Sequence, residues 1–264
     1  MDSVTAAQHA LDEYARERGR SALVRVHVPG RDWEGGVEPD TVRPAASLLK
    51  LGVALAAEAA LAHGRLDRDL RVPIADLASR PRDRSVLDLL DPDHPVRVDE
   101  LLALMLGASD NPSTRWFVAA LGVPRIADTV ASLGCTATTV EGHPQAGVTG
   151  TTTCRDALVL LAAASDPQRH PLSARALEHS IRNSRIPLGA TDADIRIAHK
   201  TGTMTGLAHD VAVLECDGGR AEVAFLTEDQ HDTLITGYAM GMCTREILQA
   251  WGLSARATVS ATGG

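Results

Sequence analysis

Aromatic side chains are scarce in this chain: three tryptophans, two tyrosines and two phenylalanines in 264 residues. Core volume must therefore come from aliphatic residues and the abundant alanine, which predicts closely spaced helices with small contacts. Basic residues are also short, with 26 Lys and Arg against 34 Asp and Glu and a net charge of −8. That balance, with no basic cluster, argues against a nucleic-acid or anionic-membrane partner. No apolar run is long enough for a membrane-spanning helix. The first residues, Met1 to Thr5, lack the basic and apolar regions of a secretory leader, so the expected location is cytoplasmic. The four cysteines, Cys135, Cys154, Cys216 and Cys243, stand far apart without C-x-x-C spacing and read as buried free thiols. The ten histidines form no H-E-x-x-H pattern, so neither a metal nor another cofactor is expected.

What is present is ordinary globular material, 44% hydrophobic and 23% charged, enough for one large domain or two intimate ones. An amphipathic helix near the start precedes an alternating strand over 22–28 and a second short strand near 33–37. The most apolar helix follows, opened by Pro44 and running to His63-Gly64. Residues 64–98 are charged and proline-rich and read as loops with brief extended pieces. Helices are expected from Asp99 to Gly107, then over 113–121, 123–133, about 151–164 and 173–183, with a turn-rich loop over 135–150. The last part changes character: a strand over 195–199, a hairpin of 211–216 and 221–226 turning at Asp217-Gly218-Gly219, a helix over 232–251, and a small-residue tail expected to be disordered. This order predicts an all-helical segment, 44–185, set into an α/β layer built from 1–43 and 186–264.

Three short motifs carry chemistry. Ser47 and Lys50 lie one helical turn apart on one face. A serine hydroxyl needs a neighbour to take its proton, and a lysine held in an apolar wall has its ammonium form disfavoured and can do so. Ser109-Asp110-Asn111-Pro112 is a turn and helix-cap signature. Lys200-Thr201-Gly202-Thr203 arrives at the end of a strand. Each alone is weak, because such short patterns recur by chance.

Taken in this order, Ser-x-x-Lys, Ser-Asp-Asn and Lys-Thr-Gly resemble the penicillin-recognising serine enzymes, namely class A β-lactamases and related D,D-peptidases. Thr152-Thr153-Cys154-Arg155-Asp156 and Arg185-Ile186-Pro187 are similar to segments of the same group. The resemblance implies a β-lactamase/D,D-transpeptidase-like fold, α/β plus all-α, with an antiparallel sheet flanked by helices. It further implies that Ser47 forms an acyl-enzyme with Lys50 as its base. Ser109 would pass a proton to the leaving nitrogen, with Lys200 lowering the cost. Asn111 would hold Lys50 and bind a substrate carbonyl, while Lys200 and Thr201 meet a substrate carboxylate. Gly202 would let substrate approach the strand, and the Thr203 N–H would join that of Ser47 in an oxyanion hole.

The chain departs from the class A pattern in one element. The Glu-x-x-Leu-Asn loop whose glutamate drives deacylation is missing, and between Cys135 and Arg155 the one acid is Glu141. Glu141 is thus a displaced candidate for deacylation, against the alternative of an exposed loop acid. Arg185 is a candidate anchor for a substrate carboxylate, against a structural ion pair. The expected function is a serine hydrolase of the β-lactamase type acting on an amide, β-lactam or ester. The partner implied is a small acyl donor carrying a carboxylate. An acyltransferase of a biosynthetic pathway, a D,D-peptidase-like enzyme and a β-lactam-binding sensor are the alternatives.

Overall fold

In the computed structural model, which describes residues 1–77, 85–191 and 194–253, the two chain ends build one antiparallel sheet. Its strands are β1 (Arg20–Val28), β2 (Arg31–Val37), β3 (Arg196–Met204), β4 (Leu207–Cys216) and β5 (Gly219–Thr227). Their order across the sheet is β2-β1-β5-β4-β3. Alternation along the strands makes both faces apolar. Ala22, Val24 and Val26 of β1 and Ala221, Val223 and Phe225 of β5 meet α1 (Ser3–Tyr14) and α8 (Thr233–Trp251). Leu23, Val211, Val213, Ala224 and Leu226 point to the opposite face and join the core of the helical layer.

That layer lies between β2 and β3 in sequence. It contains α2 (Lys50–Ala62), α3 (Val98–Ala103), α4 (Asn111–Leu121), α5 (Val123–Ser132), α6 (Cys154–Ala164) and α7 (Pro171–Glu178). Ten residues of α2 are buried, as an almost wholly apolar helix requires. A side chain at Gly52 would come within 2.6 Å of Val130 Cγ2, so glycine is what lets α5 approach α2 this closely. Buried Glu58 accepts a hydrogen bond from the Ser173 N–H at 2.7 Å and so caps the first turn of α7.

Several expectations need correction. Pro44 does not open the helix: Arg43–Pro44 pairs with Thr151–Thr152, a 3₁₀ turn spans Ala46–Leu49, and α2 begins only at Lys50. Strand pairing competes successfully there with the proline's helical preference. The helix expected to end at Gly107 changes at Leu104 into a π-helical turn ending at Ala108. The loop over 135–150 contains a small hairpin, Glu141–His143 with Gly147–Thr149. Helix α7 stops at Glu178, short of 183, because the chain turns to bond with Gly107, through both the Ile181 N–H and the Ser180 hydroxyl. Residues 64–98 hold a short ladder of Arg71–Pro73 with Pro95–Arg97, while 78–84 and the tail from 254 lie outside the described residues. All four cysteines are free; Cys135, Cys154 and Cys243 are buried and Cys216 half-buried. Burial pushes the Cys135 and Cys154 thiols up to about 12, which leaves them protonated and unreactive.

Candidate active site

The nucleophile candidate stands on a strained corner. Ala46 has φ 47°, in the left-handed region that disfavours a residue with a Cβ, and Ser47 follows it in the 3₁₀ turn. Residues three apart nearly eclipse in such a turn, which places the half-buried Ser47 above Lys50. The corner is braced from the sheet. His209 of β4, fully buried, donates from Nε2 to the Pro44 carbonyl at 2.8 Å and accepts the Thr227 N–H at Nδ1 at 3.0 Å. That pair of bonds fixes a neutral tautomer, and burial pushes the imidazole down to about 4. Gly202 of β3 lies opposite His209. A side chain there would meet His209 at 3.0 Å and the Ala46 methyl at 3.3 Å, pushing on the Ser47 corner.

Lys50, Ser109 and Lys200 form a chain of three polar side chains. Lys50 is 1% exposed, and its Nζ bonds to the Ser109 carbonyl at 2.6 Å, to Asn111 Oδ1 at 2.8 Å and to Ser109 Oγ at 3.3 Å. Lys200, also 1% exposed, reaches the same Ser109 Oγ at 3.0 Å and the Thr201 carbonyl at 3.0 Å. Burial, and next to it the charge of Lys50, push the Lys200 pKa well below the ordinary lysine value. One positive charge satisfies this network. With one positive charge between the two amines, N–H donors still reach the Ser109 carbonyl, Asn111 Oδ1 and Ser109 Oγ. The two amines therefore behave as a coupled pair.

Local structure aims Ser109 inward. The π turn ends in Ser109 at φ 60° and ψ 35°, and Asp110 then caps α4, accepting from the Ser113 N–H at 2.8 Å and the Ser113 hydroxyl at 2.6 Å. Ser85 donates to the other Asp110 oxygen, a tether that no short motif announces. Asp110 is therefore the structural member of its motif, while Ser109 and Asn111 face the lysines.

Arg185 departs from the ion-pair reading. Its Nη1 donates to the carbonyls of Gly202 (2.7 Å) and His209, and its Nη2 to Thr203 Oγ1 at 2.6 Å. It clamps the main chain of β3 and β4, and among the described residues it forms no ion pair. Burial lowers its pKa, and the nearby Asp210 carboxylate opposes that shift. Glu141 is exposed on the outgoing strand of the small hairpin, and it is the return strand, Gly147–Thr149, that packs against the Ser47 turn. Among the described residues no group of three or more His, Cys, Asp or Glu is placed to hold a metal.

A serine one turn from a buried lysine, beside the open edge of an antiparallel sheet, is an arrangement suited to a serine nucleophile. The model of the β-lactamase enzyme family matches residues 6–251, and the chain belongs to that family of serine hydrolases of the β-lactamase and penicillin-binding type. Among solved structures it is similar to a β-lactamase from Sphaerobacter thermophilus (24% identity, TM-score 0.79, 96% of this chain and 99% of that one). It is also similar to PBP-A (22%, TM-score 0.80, 95% and 97%), for which an L158E acyl-enzyme complex with penicillin G is among the similar structures. A class A β-lactamase representative from Bacteroides cellulosilyticus is a further neighbour (18%, TM-score 0.78, 96% and 100%). At these identities the likeness establishes the fold. Comparison with curated proteins gives no match.

Proposed function

We propose that Ser47 attacks the carbonyl of an amide, β-lactam or ester and holds the acyl group covalently. The observation that carries this reading is the shared bonding of Ser109 Oγ by two fully buried lysines, one of them three residues after Ser47. Lys50, when it is the neutral member of the pair, takes the Ser47 proton. Ser109 then passes a proton to the leaving nitrogen or oxygen and is resupplied by Lys200. The main-chain N–H groups of Ser47 and Thr203 face the developing oxyanion, Asn111 meets a substrate carbonyl, and Thr201 with Lys200 meets a substrate carboxylate.

Release of the acyl group is the step for which the described residues are least equipped. A carboxylate beside the acyl carbon would activate water, and Glu141 is an exposed side chain on the hairpin strand farther in register from the Ser47 turn. That favours slow hydrolysis and leaves room for an amine or alcohol acceptor, so that the enzyme acts as a slow hydrolase or as an acyltransferase. Fluorescent-penicillin labelling followed over time tests the reading. A label on Ser47 that decays slowly, and faster with an added amine, supports it; no label on Ser47 from any penicillin, ester or thioester overturns it.

A further inference from the structure

One cation beside the site is not used by this mechanism. Arg182 follows α7 on a segment tied to the turn that presents Ser109. The Ser180 hydroxyl and the Ile181 N–H both donate to the Gly107 carbonyl, and the Arg182 N–H donates to Ser180 Oγ at 3.3 Å. The guanidinium then donates from Nε (3.2 Å) and Nη2 (3.1 Å) to the Ala108 carbonyl, one peptide unit before Ser109. Arg182 is solvent-exposed, and its charge disfavours the charged forms of both Lys200 and Arg185.

Two of the five guanidinium N–H donors are engaged on that carbonyl. The three that remain, both on Nη1 and one on Nη2, form the end-on fork that fits a carboxylate or similar planar anion. Arg182, Arg185 and the one positive charge shared by Lys50 and Lys200 thus gather in a chain whose net charge is −8. The two buried carboxylates nearby are both engaged: Asp110 with Ser113 and Ser85, and Asp210 with His199 and the Ile186 N–H. Holding so many like charges together is unfavourable unless an anion completes the set.

We propose that Arg182 is a specificity-determining residue that binds a second anionic group on the leaving-group side of the substrate. The side follows from its neighbours: Ser109 serves the leaving atom, and Lys200 receives the first carboxylate. The substrate class is therefore an acyl donor whose leaving group carries two carboxylates, such as an acidic amino acid or a dicarboxylic thiol. This assignment rests on the acyl-enzyme reading for which side of the substrate is met, but anion recognition by Arg182 does not require turnover.

The test uses two hippuryl thioesters, one with mercaptoacetate and one with mercaptosuccinate as leaving group. Binding to the Ser47→Ala protein is measured by calorimetry, and thiol release by the wild type is measured separately. The expected result is a preference for the dicarboxylate on the order of 10-fold in Kd, appearing in KM more than in kcat. The preference should collapse toward unity in Arg182→Gln and be partly kept in Arg182→Lys. Equal binding of the two probes, undetectable binding of both, or a preference that survives Arg182→Gln overturns the assignment. If Ser47 is never acylated but the preference and its loss are seen in binding, the acyl-enzyme reading fails and the role of Arg182 stands.

Discussion

At the scale of single residues, the coupled lysine pair carries the strongest expectations. Lys50→Ala should lower the acylation rate on the order of 10²–10⁴-fold in stopped-flow assays, and Lys50→Arg should not restore it, because a guanidinium does not give up its proton. An active Lys50→Arg enzyme would remove Lys50 as the base. Lys200 has its folded-state pKa lowered by burial and by Lys50, so acidification loads a second proton onto the pair and removes the base. Acylation should therefore rise with pH on its acid limb. Lys200→Met removes the neighbouring charge that helps Lys50 lose its proton, and should move that limb to higher pH; an unmoved limb would show that the two amines titrate independently. Ser47, Lys50, Ser109, Asn111 and Lys200 were singled out by three motifs that resemble a family only when taken in order, and the structure brings Lys50, Ser109, Asn111 and Lys200 into one bonded group. Arg185 was legible as a charge but not as a contact. Its partners are main-chain carbonyls of strands paired across the sheet, which no local pattern encodes.

At the scale of elements, the Ser47 corner depends on a strut from β4. Because burial pushes His209 down to about 4 from the ordinary 6.5, the unfolded chain takes up this proton at a higher pH than the folded one. Stability should thus be full above about 6.5 and fall as the pH drops toward about 4, by about 3 kcal/mol from this group. Urea melts across that range should show the slope. His209→Leu should be destabilised throughout by a few kcal/mol, as loss of buried bonds costs, yet flatten the pH dependence. A slope of the same size in His209→Leu would place its origin elsewhere. Nothing in the sequence marked His209, whose register opposite Gly202 exists only once β3 and β4 pair. Helices α4, α5 and α6, and the far end of α2, were readable to within a few residues from periodicity and caps. The misreadings, Pro44 and the far end of α7, fall where tertiary bonds redirect the chain against local preference. The small hairpin over 141–149 was hidden among turn residues, and it decides where Glu141 stands.

At the scale of the whole molecule, the sheet from both chain ends holds β3 as an open edge beside the helical layer that carries Ser47 and Ser109. The architecture was legible because strands and helices are segregated along the chain, and aromatic scarcity is matched by alanine-lined packing on both sheet faces. On the proposed reading this assembly forms an acyl-enzyme at Ser47, while Glu141, the acid of the segment between Cys135 and Arg155, stands exposed on the small hairpin. Glu141→Gln should therefore change adduct lifetime by less than an added amine or alcohol acceptor does. The most direct test of the account is a rapid-quench time course with penicillin G, read by intact mass and peptide mapping, on wild type and Ser47→Ala. The account predicts a burst of one covalent adduct on the peptide containing Ser47, decaying slowly, shortened by an acceptor, and absent in Ser47→Ala. An adduct that persists in Ser47→Ala, or turnover without a burst that Glu141→Gln arrests as a trapped adduct, would contradict it.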